Sequence, residues 1–327
     1  MKRFLALLLG VLLLLGMITG CGETKTEETE PATEKIHVQE KEETTAPSEE
    51  TEGIRMVAHM ELDVPGVSYV LTAVNPYADF GDAEIVINSQ GAEALVRWMQ
   101  RSDTLEAISE FGSETYEEPI FRVPENIQTY EGWISPANDN TKQIRLMTTS
   151  LVEQSGLLQE ILPFFEEEYG YRVEIVTAED GAGYANIIAG EADLLLMEAP
   201  ETGDPFAEGN YVRQIPGFDR QISLLECPYV LCGPKTDPAK AANCADIASA
   251  LEAIAGGEHL FISRGDQSAA HSAEQSLWPE HQSFDEDWYF CVDTDMGPCL
   301  TIAEEMGGYV ISDKLTWQIF CSLNGII

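Results

Sequence analysis

Short apolar runs and longer stretches with helical spacing follow one another along most of the chain. The apolar runs predict strands at residues 67–74, 144–147, 171–177, 193–197, 227–232, 260–263 and 309–312. Apolar residues at helical spacing predict helices at residues 91–111, 155–169, 186–189, 241–255, 267–278 and 299–306. Strands that alternate with helices indicate an α/β fold with mixed, mostly parallel sheets flanked by helices.

The beginning of the chain has the pattern of an export signal. Two basic residues precede a continuous apolar run over residues 4–17, which has the length of a signal-peptide core and is short for a spanning helix. Residues 18–21 read ITGC, which matches the lipobox of bacterial lipoproteins. We therefore predict a lipoprotein signal peptide at residues 1–20 and lipid on Cys21, which would anchor the protein on the extracytoplasmic face of the cell membrane. An ordinary secretory signal that contains Cys21 is the alternative.

Residues 21–54 are predicted to be a disordered acidic tether. They are rich in Glu, Thr, Lys and Pro and contain few aliphatic residues. Such a composition buries too little apolar surface to offset the entropy lost on ordering. The remaining residues, 55–327, are long enough for two lobes or one large domain.

Charge restricts the class of ligand. The chain has 57 acidic and 18 basic side chains and a net charge of −39. A nucleic-acid partner is not expected, because such proteins present a basic face. The same field repels small anions, so an anion site in this chain must depend on local donors.

Six cysteines follow Cys21, and all lie in the last third of the chain: Cys227, Cys232, Cys244, Cys291, Cys299 and Cys321. No CxxC motif or Cys/His pair has the spacing of metal ligands, so we predict no metal site and no cofactor. Buried thiols and one or two disulfides both remain open. If Cys227 and Cys232 share one strand, their odd spacing points them to opposite faces, so they should not pair with each other.

Hydroxyl side chains follow the predicted strand at residues 144–147. Thr148, Thr149 and Ser150 lie between this strand and a helix, at the carboxyl end of a sheet strand, where ligands bind in open α/β folds. Ser150 and Glu153 also fit a capping box. Capping alone would explain Ser150 but not the two threonines.

A second junction reads SRGDQS at residues 263–268. Ser263 ends a predicted strand, Arg264 precedes a glycine turn, and Asp266 or Ser268 can cap the next helix. Arginine gives planar, bidentate and permanently charged recognition of an oxyanion. The alternative is a surface pair between Arg264 and Asp266, which contributes little.

Two loops that precede helices could also bring backbone N–H groups to a ligand, one with Gly183 and one ending at Cys299. Small residues in such loops are equally common in plain turns. Ser268 and His271 lie one helical turn apart, but neither an orienting acid in register nor a nucleophile elbow accompanies them. We therefore predict that the protein is not an enzyme.

These segments resemble the tungstate-binding proteins of bacterial ABC importers, a branch of the type II periplasmic binding proteins. That family reads roughly LATTTSTENSGLL where this chain has LMTTSLVEQSGLL at residues 146–158, and SRGDDSGTHKKE where it has SRGDQSAAHSAE at residues 263–274. Weaker similarities cover residues 181–185, 192–200, 287–289 and 296–304. The resemblance implies an α/β fold of two lobes with a hinge, and an oxyanion held between the lobes. The implied oxyanion ligands are Thr148, Thr149, Ser150, Gly183, Ser263, Arg264, Ser268 and Cys299.

The order of segments differs from that family. A stretch at residues 67–121 resembles the family's C-terminal end but precedes the TTS segment here, which implies a circular permutation. Permutation is tolerated where chain ends lie on surface loops near each other. The implied division places lobe A at about residues 75–225 and lobe B at about residues 226–327 plus 55–74. Hinge strands are then expected near residues 68–74 and 227–232.

Three of the family's hydroxyls are replaced in this chain, by Leu151, Ala270 and Cys299. The resemblance implies a membrane-anchored solute-binding lipoprotein, expected to be a monomer, that captures a small oxyanion such as tungstate or molybdate for an ABC transporter permease. The lost hydroxyls favour an alternative. In that alternative, a degenerate binding-protein scaffold acts as a surface sensor or interaction module, or holds a different small ligand.

Overall fold

Helices and strands follow one another as the apolar pattern predicts. The structure is a computed structural model and describes residues 56–81, 85–116, 118–178, 190–200, 210–279 and 283–326. The strands are β1 Met56–Glu61, β2 Val67–Val74, β3 Gln143–Thr149, β4 Arg172–Ala178, β5 Leu194–Glu198, β6 Val212–Arg213, β7 Ile222–Cys227, β8 Tyr229–Pro234, β9 Phe261–Ser263, β10 Tyr289–Cys291 and β11 Val310–Asp313. The α-helices are α1 Ser89–Met99, α2 Ser102–Glu110, α3 Ser113–Tyr116, α4 Ser150–Ser155, α5 Leu157–Tyr169, α6 Ile247–Gly256, α7 Ala269–Leu277, α8 Met296–Met306 and α9 Lys314–Asn324.

The larger sheet has the strand order β4-β3-β5-β2-β6, and β7 also pairs with β2. Strand β3 is parallel to β4 and β5, whereas β2 is antiparallel to β5, β6 and β7. Successive residues of β3 and β5 enter different cores, because side chains alternate across a strand. Leu146 packs with helices α1, α2 and α5 on one face, and Met147 packs in a second cluster on the other.

The smaller sheet has the strand order β1-β8-β11, with β8 antiparallel to both neighbours. Strand β9 adjoins β11 through a parallel bridge between Phe261 and Tyr309, and β10 is parallel to β9. Val230 and Cys232 enter one core cluster, and Leu231 enters the other. Each sheet therefore has its own apolar clusters on its two faces, and described helices pack in all of these clusters except the one around Met147.

The α/β class and the helix-flanked mixed sheets are confirmed, but the sheets are not mostly parallel. Among the strand pairs of the described residues, antiparallel pairs outnumber parallel ones, because β2 and β8 are antiparallel to all their neighbours. Both strands enter from the other sheet by a short link, and not through a crossover helix. The predicted division also placed β2 in lobe B, whereas this strand lies in the larger sheet.

Several element boundaries differ from those predicted. The run at residues 227–232 is two strands, since β7 ends at Cys227 and β8 begins at Tyr229. The helix predicted at residues 155–169 is preceded by the separate helix α4, and Gly156 between them has a φ of 85°. Strands β1, β6, β7 and β10 and helix α9 were not predicted. The helix predicted at residues 186–189 lies outside the described residues.

All six described cysteines are free thiols. Cys227 and Cys232 are not paired with each other, as predicted, but they lie on the separate strands β7 and β8 and enter different core clusters, so the predicted reason of one shared strand does not apply. Burial raises the pKa of both thiols well above its usual value. Of the two possibilities that the sequence left open, buried thiols describe Cys227, Cys232, Cys299 and Cys321, whereas Cys244 is half-buried and Cys291 is exposed.

An ion cluster ties the two sheets together where the chain crosses between them. The Lys314 side chain is 5% exposed, and its Nζ lies 2.5 Å from Glu61 Oε2 and 3.0 Å from Glu118 Oε2. Arg122 contacts the other oxygen of Glu61 and also pairs with Glu226. Burial alone would raise the pKa of Glu61, but its bonds to Lys314 and Arg122 outweigh burial and lower it.

We expect Lys314→Met to lower the free energy of unfolding by about 1–3 kcal/mol, because Glu61 and Glu118 lose a buried cation while Arg122 still contacts Glu61.

The stability of the fold should also depend on pH through Glu61. Because its pKa is lowered in the folded state, ionised Glu61 stabilises the fold above its unfolded pKa, and this contribution is lost as the pH falls through the folded pKa. Urea titrations at pH 7 and below pH ~4 measure both effects. The exposed Lys235→Met is the matched control, and an equal loss in the two variants would contradict the expectation.

Candidate functional site

Two sheet edges meet at Pro228. Strands β5 and β7 are both antiparallel to β2, so they run in the same direction. Strand β3 is parallel to β5 and therefore runs in that direction as well. The carboxyl ends of β3, β5 and β7 therefore share one edge of the larger sheet. Pro228 alone separates the end of β7 from Tyr229, which begins β8.

On the smaller sheet, the amino end of β8 lies beside the carboxyl end of β11, since Tyr229 pairs with Asp313. Strands β9 and β10 run parallel to β11, so their carboxyl ends lie at this edge as well. The two edges adjoin at the crossover. A second link passes close by, because a Cβ on Gly66 would lie 2.0 Å from the carbonyl oxygen of Cys227. Ligands of α/β sheets bind at such carboxyl edges.

The TTS segment lies on the edge of the larger sheet. Thr148 is buried, and its hydroxyl donates to the carbonyl oxygen of Leu196 at 2.8 Å. Thr149 is the N-cap of α4, because its Oγ1 accepts from the Val152 N–H at 3.2 Å. Ser150 is the first helical residue and is exposed. The cap is therefore Thr149, one residue earlier than the predicted capping box places it.

The SRGD segment lies on the edge of the smaller sheet, directly after β9. Arg264 donates from Nε and Nη2 to Asp266 Oδ2, at 2.9 and 2.6 Å, and Nη2 also lies 3.3 Å from Asp295 Oδ1. Burial alone would raise the pKa of Asp266, but its bonds to Ser268 and Arg264 outweigh burial and lower it. Asp266 therefore stays ionised and fixes the guanidinium, whereas the Asp295 side chain is 84% exposed.

Gly265 is required between Arg264 and Asp266. Its φ is +69°, which L side chains rarely adopt, and a Cβ there would lie 2.8 Å from the Cβ of Cys291. The turn therefore brings the Arg264 backbone against the end of β10. The position of the guanidinium follows from that close approach.

Ser263 belongs to a buried polar network behind Arg264. Its hydroxyl donates to Glu274 Oε2 at 2.5 Å and accepts from the Tyr289 hydroxyl at 3.0 Å. Glu274 Oε1 also accepts from Tyr289 at 2.9 Å and from Trp278 Nε1 at 2.7 Å. Burial raises the pKa of Glu274 despite these three bonds.

Ser268 and Cys299 lie at the amino-terminal ends of two helices, α7 and α8. Ser268 is the N-cap of α7 and accepts from the His271 N–H at 3.2 Å. Cys299 is buried in the first turn of α8, and its sulfur lies 3.7 Å from the Thr294 carbonyl oxygen. Burial raises the pKa of this thiol to about 11, so it is neutral at pH 7.

Arg264, Ser263, Ser268 and Cys299 thus lie together on the smaller sheet, and Thr148, Thr149 and Ser150 lie together on the larger one. Gly183 lies outside the described residues. The sequence pattern did not single out Tyr229, Glu274 or Asp295 as site residues. Of these, only Asp295 had a usable signal, as a polar residue directly before a helix.

Neither a metal nor a membrane span is evident in the described part of the chain. No group of three His, Cys, Asp or Glu side chains there is placed to hold a metal ion. No helix there has the length and apolar character that crossing a membrane requires.

Comparison with known proteins places this edge within a shared fold. The profile of the PBP superfamily domain matches residues 135–321, which is more than half of the chain and includes both the TTS and SRGD segments. The chain belongs to the PBP superfamily.

Three relatives are similar over part of the chain. A putative ABC transporter anion-binding protein of Haloferax volcanii is 30% identical over 59% of this chain and 55% of its own. The tungstate-binding protein TupA of Peptoclostridium acidaminophilum is 34% identical over 53% of this chain and 60% of its own. The solved tungstate-binding protein TupA of Desulfovibrio alaskensis G20 is 27% identical, with a TM-score of 0.45, over 56% of this chain and 72% of that one. The chain thus spans under two thirds of the length of the two curated relatives.

The match to the PBP superfamily begins after β1, β2 and α1–α3. Strand β2 nevertheless lies inside the larger sheet, between β5 and β6, and it pairs with β5 over five residues from Tyr69 to Ala73. The part of the chain before the match is therefore an integral part of the sheet that carries the TTS segment.

Proposed function

We propose that this member of the PBP superfamily is an extracytoplasmic solute-binding protein that captures a small oxyanion, tungstate or molybdate, for an ABC transporter. The observation that carries the proposal is the placement of Arg264. Its guanidinium is held at the edge of the smaller sheet, beside the first turn of α8, where the edge of the larger sheet adjoins it. The names of the two curated relatives support an anion, and one of them supports tungstate.

The hydroxyls at this edge differ in what they can still donate. Thr148 and Ser263 each have one proton, and both protons are already given to protein oxygens. Thr149 acts only as an acceptor in its cap, so its proton is available, whereas the Ser268 hydroxyl also bonds the Asp266 carboxylate. In this proposal Arg264 supplies the charge, Thr149 and Ser150 donate hydrogen bonds, and Thr148, Ser263 and Ser268 fix the two edges.

Thermal shift and calorimetry on the purified full-length chain test the proposal, with tungstate, molybdate, sulfate and phosphate as ligands. A ligand that binds only the folded state raises its stability by RT ln(1 + [L]/Kd), which is about 2.7 kcal/mol at a hundredfold excess over Kd. We expect a clear upward shift of Tm with tungstate or molybdate. The absence of a shift with all four anions would reject oxyanion capture.

A degenerate scaffold that senses or binds something else is the second candidate. It is favoured by one observation: Nε and Nη2 of Arg264 are bonded to Asp266 and Asp295. An incoming anion can use the two N–H groups of Nη1 but meets two carboxylates beside them, whereas a scaffold without an anion ligand keeps both contacts undisturbed. The same titrations separate the two candidates, because only the first predicts a shift.

The lipid anchor and the permease partner are further parts of the proposal. The ITGC sequence supports lipid on Cys21, and delivery to a permease is supported by the name of one relative, the ABC transporter anion-binding protein of Haloferax volcanii. Labelling with a radioactive fatty acid in a bacterial host tests the anchor. We expect label on the unaltered chain and none on Cys21→Ser, while label on both would reject Cys21 as the site.

The circular permutation is the last part. It is supported by β2, which precedes the matched region but lies within its sheet, and by Met56 and Ile326, which pack in the same cluster near the two ends of the described chain. A chain that begins at Asn140, continues through a short linker from its end to residue 55, and finishes at Asp139 restores the order of the family. Both residues lie in an exposed turn. We expect this rearranged chain to fold and to bind the same anion, and a failure to fold would count against the permutation.

A further inference from the structure

Tyr229 places a phenol group at the point where the two edges meet. It is the first residue of β8 and pairs with Asp313, the last residue of β11. Asp313 is also the N-cap of α9, so this helix begins at the same edge. The residue is only 6% exposed, and its ring packs in the core cluster of the smaller sheet with Leu62 and Phe261. The ring is therefore fixed by packing, with few alternative positions for the hydroxyl.

The hydroxyl of Tyr229 makes no hydrogen bond to any described residue. Other tyrosines of this cluster are bonded: Tyr289 donates to Ser263 and Glu274, and Tyr309 donates to Asp237. Buried phenol groups generally find a partner, so a nearly buried tyrosine without one needs an explanation. The Tyr229 hydroxyl is not among the fully enclosed, unpaired polar atoms of the described residues, so it keeps a small solvent-accessible surface.

The surrounding charges place this hydroxyl between the two sheets. Burial, Asp313 and Glu198 together raise the pKa of Tyr229 to about 12, and Arg264 opposes them. Glu198 ends β5 of the larger sheet, whereas Arg264 follows β9 of the smaller one. Both act on the same phenol group. Since its pKa is far above neutral, the hydroxyl keeps its proton and remains a donor.

Few neutral donors remain at this edge. The chain is strongly acidic, and Asp266 and Asp295 already neutralise Arg264. The family's hydroxyls at the positions of Leu151, Ala270 and Cys299 are missing. A phenol group offers a hydrogen bond to an oxyanion and adds no negative charge.

We propose that the Tyr229 hydroxyl is a further hydrogen-bond donor to the bound oxyanion, in the same cleft as Arg264. This inference rests on the proposed capture of an oxyanion. It assigns a ligand role to β8, which contributes none of the residues predicted from sequence.

Calorimetry with tungstate and molybdate on the full-length chain and on Tyr229→Phe tests the inference. We expect the variant to bind at least about tenfold more weakly, as the loss of a hydrogen bond to a charged group predicts. We expect its ligand-free Tm to match that of the unaltered chain, because the lost hydroxyl bonds none of the described residues. This combination separates a ligand contact from a structural role.

Tyr309→Phe is the matched control. Tyr309 is buried in the same cluster, but its hydroxyl bonds Asp237 and the Ala239 N–H at the opposite end of β11. We expect this variant to have a lower Tm and an unchanged affinity. If the unaltered chain binds and Tyr229→Phe binds equally well, the inference is wrong and the proposed function stands. If the unaltered chain binds neither anion, both are wrong.

Discussion

Replacing Arg264 with alanine is expected to weaken oxyanion binding by at least about a hundredfold. Hydrogen bonds to charged groups contribute about 1.5–3 kcal/mol each, and a guanidinium can offer two to one anion. The chain has few other cations to compensate, since its net charge is −39. Calorimetry with the best of the four anions measures the loss, and Tm of the ligand-free variant confirms that it folds.

Arg101→Ala is the matched control for this result. Arg101 also pairs with an aspartate two residues later, through Nε to Asp103 at 3.2 Å, but it caps α2 away from the two edges. We expect its affinity to equal that of the unaltered chain. Arg264→Lys should bind with intermediate strength, because it keeps the charge and loses the planar pair of donors. Affinity within tenfold of the unaltered chain after Arg264→Ala would remove this residue from the site.

Removing the carboxyl group of Glu274 should produce the largest loss of stability. The residue is 4% exposed and accepts from Ser263, Trp278 and Tyr289. Glu274→Ala leaves Ser263 and Trp278 without their acceptor, leaves Tyr289 only Ser263 to donate to, and opens a cavity. We expect a loss of about 3–5 kcal/mol in the free energy of unfolding, measured by urea titration. Glu252→Ala, on the exposed face of α6, should change it by less than about 0.5 kcal/mol.

The pH dependence of the Glu274 contribution has a definite sign. Burial raises its pKa despite the three hydrogen bonds, so folding favours the protonated form. Its contribution is therefore fully present below the unfolded pKa and is lost as the pH rises through the folded pKa. With Glu274→Gln as the uncharged reference, the stability of the unaltered chain relative to this variant should fall as the pH rises from about 4 to 8. A difference that does not vary with pH would contradict the raised pKa.

The hydroxyl residues show how much of the candidate site can be predicted from the sequence. Their position after β3 and β9 follows from local patterns, because an apolar run followed by polar residues marks the end of a strand. Which of them keep a free proton does not follow, because Thr148 donates to Leu196 and Ser263 donates to Glu274. These partners lie on other elements, and no local pattern indicates them.

The strand boundary at Pro228 also could not be predicted from local sequence patterns. A single apolar run suggested one strand, but Pro228 ends β7 and the chain passes directly into the other sheet. Whether such a run continues or crosses depends on which strands are available to pair, and β2 and β11 come from distant parts of the chain. The antiparallel direction of β2 depends on the same long-range pairing.

The sequence by itself determined the α/β alternation, the buried strand cores, and the two loops that carry hydroxyls and an arginine. Each of these depends on neighbouring residues, through side-chain periodicity and turn chemistry. Only the tertiary structure decided that Asp266 fixes Arg264 while Asp295 remains exposed, and that Glu274 takes the Ser263 proton. It also decided that the Tyr229 hydroxyl bonds no other side chain or backbone group in the described part of the chain. The reason is that burial and hydrogen-bond partners at a sheet edge come from strands far apart in the chain.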